Sequence, residues 1–138
     1  MKKYTEAKME SGHYQADATI VRCIDERTKS ALEIFTEKEG LVRYDDISIP
    51  GSIKGLASPT SEEERRIVLG YVTSSVQLHH SKRVILVAHN ECGGYGSVLG
   101  KDYYLTELEK AAAVVATALP DVLIGKLFID FDGTIMLP

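Results

Sequence analysis

The sequence predicts an α/β fold: a mostly parallel four-stranded sheet flanked by helices, with a short antiparallel C-terminal edge strand. Two observations carry this. Short β-branched, apolar runs alternate with segments of helical periodicity, an order that favours parallel strands joined by helical crossovers. One run, residues 83–88 (RVILVA), is apolar throughout, as a strand covered on both faces must be.

Taken in order, residues 17–23 (DATIVRC) read as a buried strand ending in the polar turn IDER. Residues 28–39 place Ala31, Leu32 and Phe35 on one helical face, and Gly40 stops that helix. Residues 41–49 read as a second strand closed by Pro50–Gly51, and residues 52–60 as a Gly/Ser/Pro loop. The next helix starts at Thr60 or Ser61, ahead of three glutamates suited to a positive helix N-terminus, and runs to about His79 with Ile67, Val68, Tyr71, Val72 and Val76 at helical spacing. After strand 83–88 comes HNECGGYG, whose glycines permit a tight turn that positions Cys92 and starts a helix. A third main helix is expected over 103–118 and a fourth strand over 122–130.

The 138 residues suit a single domain, 1–138. The formal charge of -4 gives no basic face, which argues against nucleic acid as a partner. No apolar run approaches bilayer length, and the start MKKYTEAKMESGHYQ lacks the apolar stretch of a secretory signal, so a cytoplasmic protein with no membrane partner is expected. In a reducing compartment the only two cysteines, Cys23 and Cys92, are more readily metal-bound, catalytic or inert than a structural disulfide.

His89 and Cys92 form an H-x-x-C pair at the carboxyl end of the third strand, and Cys23 ends the first. In open α/β sheets ligands gather beyond the carboxyl ends of the strands. If those strands are neighbours, the three side chains converge. Two thiolates and an imidazole suit tetrahedral zinc, and three protein ligands leave a fourth position for water. A redox pair of Cys23 and Cys92 is the reading this must displace.

Cys23-Ile24-Asp25-Glu26-Arg27 is a C-x-D-x-R string, followed later by H-N-E-C-G-G after an apolar strand. Together these resemble the signature of the β-class carbonic anhydrases, over roughly residues 15–100. The resemblance implies one zinc ion per chain on Cys23, His89 and Cys92, and zinc-activated water attacking carbon dioxide to give bicarbonate. It implies that Asp25 accepts a hydrogen bond from that water while Arg27 forks onto Asp25 and keeps it ionised. Without the arginine, Asp25 is free to swing onto the open zinc position. The resemblance also implies substrate contacts from Gln15 and the Gly93–Gly94 turn, and a homodimer or higher homo-oligomer. Alternatives on the same site are hydrolysis of carbonyl sulfide or carbon disulfide, and a non-catalytic zinc- or bicarbonate-binding protein. Tyr95, His79 and His80 are the side chains considered for proton transfer. Where many members of the class carry R-N-A-G, this chain has Ser48-Ile49-Pro50-Gly51-Ser52, which keeps the glycine but changes the pocket wall.

FIDFDGT near the C-terminus matches the D-x-D-G-T string of haloacid-dehalogenase-type phosphatases, with Asp130 as nucleophile and Asp132 as acid. That fold needs further catalytic segments after its opening strand, so Asp132–Gly133 reads instead as a hairpin turn.

Overall fold

The structure is a computed structural model and describes residues 1–137. Its elements are β1 (Ala18–Cys23), α1 (Lys29–Lys38), β2 (Tyr44–Ile49), α2 (Lys54–Ala57), α3 (Glu62–His79), β3 (Arg83–His89), α4 (Lys101–Ala118), β4 (Leu123–Ile129) and β5 (Ile135–Met136). They form one five-stranded sheet in the order β2-β1-β3-β4-β5. The first four strands are parallel, and β5 runs antiparallel to β4, pairing Phe128 with Met136 and Ile129 with Ile135.

Helices cover both faces. On one, Ala31, Leu32 and Phe35 of α1 pack over Ile20, Ile85 and Leu127. On the other, Leu56, Val68, Val72, Tyr104, Leu108, Ala111 and Val115 from α2, α3 and α4 pack over Val21, Val84, Leu86 and Phe128. Central β3 is buried at every position after Arg83, which explains its unbroken apolar run. Edge strand β2 alternates exposed and half-buried residues.

Helix ends follow local chemistry. Ser61 caps α3 by accepting the Glu64 N–H (3.2 Å), and the Glu64 carboxylate accepts the N–H and hydroxyl of Thr60. Gly40, at φ 65°, ends α1 in the left-handed conformation that favours glycine.

Four differences from the sequence reading have physical causes. Residues 52–60 are not all loop: Ile53 and Leu56 are fully buried and fold the segment into α2. The buried stripe of α3 is Val68, Val72 and Ser75, whereas Ile67 and Tyr71 are exposed, since residues one position apart lie about 100° apart on a helix. The glycine turn forms only a 3₁₀ turn, Gly93–Tyr95. Helix α4 starts at Lys101, with Gly100 as an N-cap that makes no side-chain bond, so no polar residue announced it.

The feature that positions the site is a fork. β1 and β3 pair only over Thr19–Val21 and Val84–Leu86. Beyond that, β1 stays with β2 as far as Cys23 opposite Ile49, and β3 stays with β4 as far as His89 opposite Ile129. Chain order reverses direction across this gap, the place where α/β sheets open a crevice. Gly51 and Ser52, both left-handed (φ 78° and 52°), turn the chain into the gap. The buried Ser52 hydroxyl donates to the Val87 carbonyl (2.5 Å) and stands 3.3 Å from that of Val21, so it bridges the two strands where their own pairing has ended.

Ser52→Ala should therefore cost about 1–3 kcal/mol of stability, the penalty for an unpaired buried acceptor, measured by urea denaturation. A loss within error of zero would mean the fork does not depend on this hydroxyl.

Candidate metal centre

Cys23 is the last residue of β1 and points to the face of the sheet that α2, α3 and α4 cover. His89 is the last residue of β3. The chain then turns sharply: Glu91 adopts a left-handed φ of 49°, and its N–H donates to Asn90 Oδ1 (3.0 Å). That reversal returns Cys92 beneath His89. The Cys92 N–H donates to the hydroxyl of fully buried Tyr104 on α4 (3.1 Å), which holds the turn against the helix.

The fork brings all three side chains together. Their ligand atoms lie within 4.8 Å of one another, and every one of the residues is buried. The Cys23 and Cys92 sulfurs are 3.7 Å apart. Thiolates bound to one tetrahedral zinc at about 2.3 Å each would stand about 3.8 Å apart. His89 Nδ1 lies 2.8 Å from the Asn90 carbonyl, which can only accept, so Nδ1 carries the proton. Nε2 is then a bare lone pair. Among the described residues it is the one buried side-chain nitrogen or oxygen without a hydrogen-bond partner. A buried orphan beside two sulfurs, with its tautomer set by a backbone carbonyl, fits a metal ligand.

The electrostatics also suit a cation. The hydrogen bond from Cys92 lowers the Cys23 pKa; burial opposes that, and His89 and the backbone at Asp25 and Gly51 add to it. The same hydrogen bond, with burial, holds Cys92 protonated. Burial disfavours a charged His89, yet Cys23 and Asp25 more than offset it and raise its pKa. The cluster's field thus favours positive charge.

Asp25 caps the 3₁₀ turn Glu26–Thr28 by accepting the Arg27 N–H (3.0 Å). The guanidinium grips the same carboxylate, Nε at 3.0 Å from Oδ1 and Nη2 at 2.6 Å from Oδ2. Chiefly through Arg27, the Asp25 pKa drops to about 2. Asp25 Oδ2 also lies 4.0 Å from His89 Nε2, beside the ligand cluster.

A cavity of about 420 Å³ opens here, lined by Cys23, Ile24, Asp25, Pro50, Gly51, Gly93 and Gly94. Asp25 is the one carboxylate among its lining residues; Ile24 and Pro50 are apolar and the glycines expose backbone. The two glycine loops touch backbone to backbone. A Cβ on Gly94 would lie 2.4 Å from the N and Cα of Gly51.

Other expected residues are elsewhere. Gln15 is exposed and precedes β1, whose six residues span about 20 Å, so it does not reach the site of its own chain. His79 bonds Asp45 (2.7 Å), and Asp45 lies opposite Thr19 at the start of β1, so His79 and the following His80 sit at the wrong end of the sheet for proton transfer. Tyr95 donates to buried Glu107 (3.3 Å), and burial together with Glu107 raises its pKa, so it does not give up a proton near neutrality. Asp130 accepts from Asn90 Nδ2 (3.0 Å) and the Phe131 N–H (2.8 Å); it is a turn residue, as the hairpin reading requires. Ser52, Tyr104 and Asn90 were not singled out from sequence, because their partners lie in distant segments.

A family model described as "Putative carbonic anhydrase" matches residues 14–137. The chain belongs to this carbonic anhydrase family. Its fold is that of the β-carbonic anhydrases: isoform I from Trichomonas vaginalis superposes with a TM-score of 0.62 at 13% identity, covering 96% of this chain and 87% of that one. Carbonic anhydrase from Streptococcus mutans gives 0.61 at 15% identity, covering 95% and 87%. Among curated sequences, an uncharacterised protein of Rickettsia conorii is 20% identical over 132 residues, 88% of this chain and 71% of its own length. A second, from Rickettsia bellii, is 21% identical over 132 residues, covering 88% and 80%.

Two outcomes are expected for this carbonic anhydrase family member. Gly94→Ala should cost about 1–3 kcal/mol by overpacking, read as a lower Tm; an unchanged Tm would show that the glycine loops can separate freely. Because the Asp25 pKa is lowered from 3.8 to about 2, the Asp25–Arg27 contribution to stability is complete above 3.8 and lost as pH falls through 2. Arg27→Ala should therefore be less stable than wild type at pH 7, with the difference shrinking as pH falls below 3.8 and vanishing below 2, followed by acid titration of circular dichroism. A constant difference across that window would deny the linkage.

Proposed function

We propose that this chain catalyses the zinc-dependent, reversible hydration of carbon dioxide to bicarbonate at Cys23, His89 and Cys92. The observation that carries the proposal is the orphaned Nε2 of His89 facing two thiols whose sulfurs stand at tetrahedral spacing. Family membership and fold support the same reading. Zinc held by Cys23, His89 and Cys92 would supply Lewis acidity, bringing the pKa of a bound water towards neutrality.

The protein's own residues do the rest. Asp25, ionised by Arg27, has no proton to donate and so accepts one hydrogen bond from the reacting water, fixing which way its lone pair points. Arg27 occupies both carboxylate oxygens and holds Asp25 in that role. Ile24 and Pro50 add apolar surface beside the side-chain-free backbone of Gly51, Gly93 and Gly94, an environment suited to a small, uncharged substrate. Gln15 would contribute only to the site of a second copy, so its role belongs with a homodimer. A monomer by light scattering would remove Gln15 from this account.

Cys92→Ser should lower zinc affinity by more than ~100-fold, beyond the effect of losing a group that merely orients a ligand. Equal zinc content in wild type and variant, by elemental analysis, would contradict the ligand set. Arg27→Ala should keep zinc while losing roughly 10–100-fold in kcat/KM for hydration by stopped flow. Full activity would take the Asp25–Arg27 pair out of the mechanism. Faster sulfide release from carbonyl sulfide than hydration of carbon dioxide would keep the site and change its substrate.

A further inference from the structure

The turn between β4 and β5 reaches over to the metal centre. Asn90, the neighbour of His89, donates its side-chain amide to Asp130 (3.0 Å) and its backbone N–H to Ile129 (3.0 Å). The same Asp130 oxygen accepts the Phe131 N–H (2.8 Å). Gly133 is left-handed (φ 80°), and the Thr134 N–H donates to Asp132 Oδ1 (2.8 Å), closing the tip. These bonds determine where Phe131 stands, and its ring lies against Arg27, with Cζ 5.9 Å from the ring centroid.

Both partners are largely in water. Phe131 is 57% exposed, and the Arg27 side chain 59%. An exposed ion pair holds a long side chain weakly, because solvent screens it and the side chain loses rotamer freedom. A ring face behind the guanidinium adds attraction through its quadrupole and removes alternative rotamers. The large apolar side chain at a solvent-facing turn thus meets the arginine that grips Asp25.

We propose that Phe131 is a positioning residue of the metal centre: its ring backs the Arg27 guanidinium and keeps Arg27 on Asp25, so that the Asp25 carboxylate stays beside the metal position as an acceptor and does not become a ligand. Asn90 and Asp130 act through Phe131 by fixing the turn that carries it. This rests on the reading of Cys23, His89 and Cys92 as metal ligands.

The test uses the full chain loaded with Co²⁺, whose visible absorption reports coordination, titrated with thiocyanate as a probe of the open position. Arg27→Ala should weaken thiocyanate binding most. Phe131→Ala should weaken it by about two- to five-fold, the effect of losing one exposed cation–ring contact. Phe131→Tyr keeps the ring face and should titrate like wild type, whereas Phe131→Leu keeps bulk without that face and should behave like Phe131→Ala. The double variant Arg27→Ala/Phe131→Ala should match Arg27→Ala alone. Wild-type titration by Phe131→Ala or Phe131→Leu, beside a weakened Arg27→Ala, would overturn the role of Phe131 and leave the metal reading intact. Wild-type protein that takes up no Co²⁺ would overturn the metal reading, and this inference with it.

Discussion

The parting of β1 from β3 is the constraint on which the rest of this molecule depends. Parallel strands that stayed paired to their ends would place Cys23 and His89 in adjacent register and fill the space between them with ladder hydrogen bonds. Here pairing stops at Val21 and Leu86, while each strand continues with its other neighbour. The gap gives room for an ion-sized cluster between two sulfurs and an imidazole nitrogen. Inside the fork, a buried serine in a left-handed turn bridges the two strands where their own pairing has ended.

Burial turns this geometry into chemistry. Two thiols and an imidazole in water would titrate independently. Enclosed together, the sulfurs share a proton and the imidazole is drawn towards positive charge. A cation held there would take the place of that proton and give Nε2 a partner. The opposite end of the sheet shows how a similar inventory behaves where every group finds a partner within the chain. There Asp45 takes hydrogen bonds from Tyr14 (2.5 Å), Ser75 (2.5 Å) and His79 (2.7 Å), so the polar atoms satisfy one another and tie the N-terminal arm to β2 and α3. Titratable groups are plentiful at both ends, and among the described residues only the forked end leaves a buried side-chain nitrogen, His89 Nε2, without a partner.

The loops around the fork are held by contacts that tolerate little change. Gly94 against Gly51 is backbone on backbone, Tyr104 reaches from α4 to the Cys92 amide, and Asn90 ties the ligand turn to the β4–β5 hairpin. That arrangement holds Cys92, which comes from a loop, beside Cys23 and His89 at the strand ends, although loops by themselves are the mobile part of a fold.

Much of this could be read from one dimension. The alternation of strands and helices, the doubly covered β3, the stop at Gly40, the cap at Ser61 and the hairpin at Asp132–Gly133 are local patterns, and local sterics and periodicity express them directly. The three side chains that meet, Cys23, His89 and Cys92, were legible too, since C-x-D-x-R and H-x-x-C-G-G keep their chemistry within a few residues. Short helix α2, the rotation of α3 that buries Val68 but not Ile67, and the start of α4 depended on what packs against them. Ser52, Tyr104 and Phe131 gain their roles only by meeting residues from other segments: strand carbonyls, the Cys92 amide and Arg27. Spacing along the chain encodes which groups are available, whereas distances across a fold depend on long-range packing, and that was decided only when the strands took their order and parted.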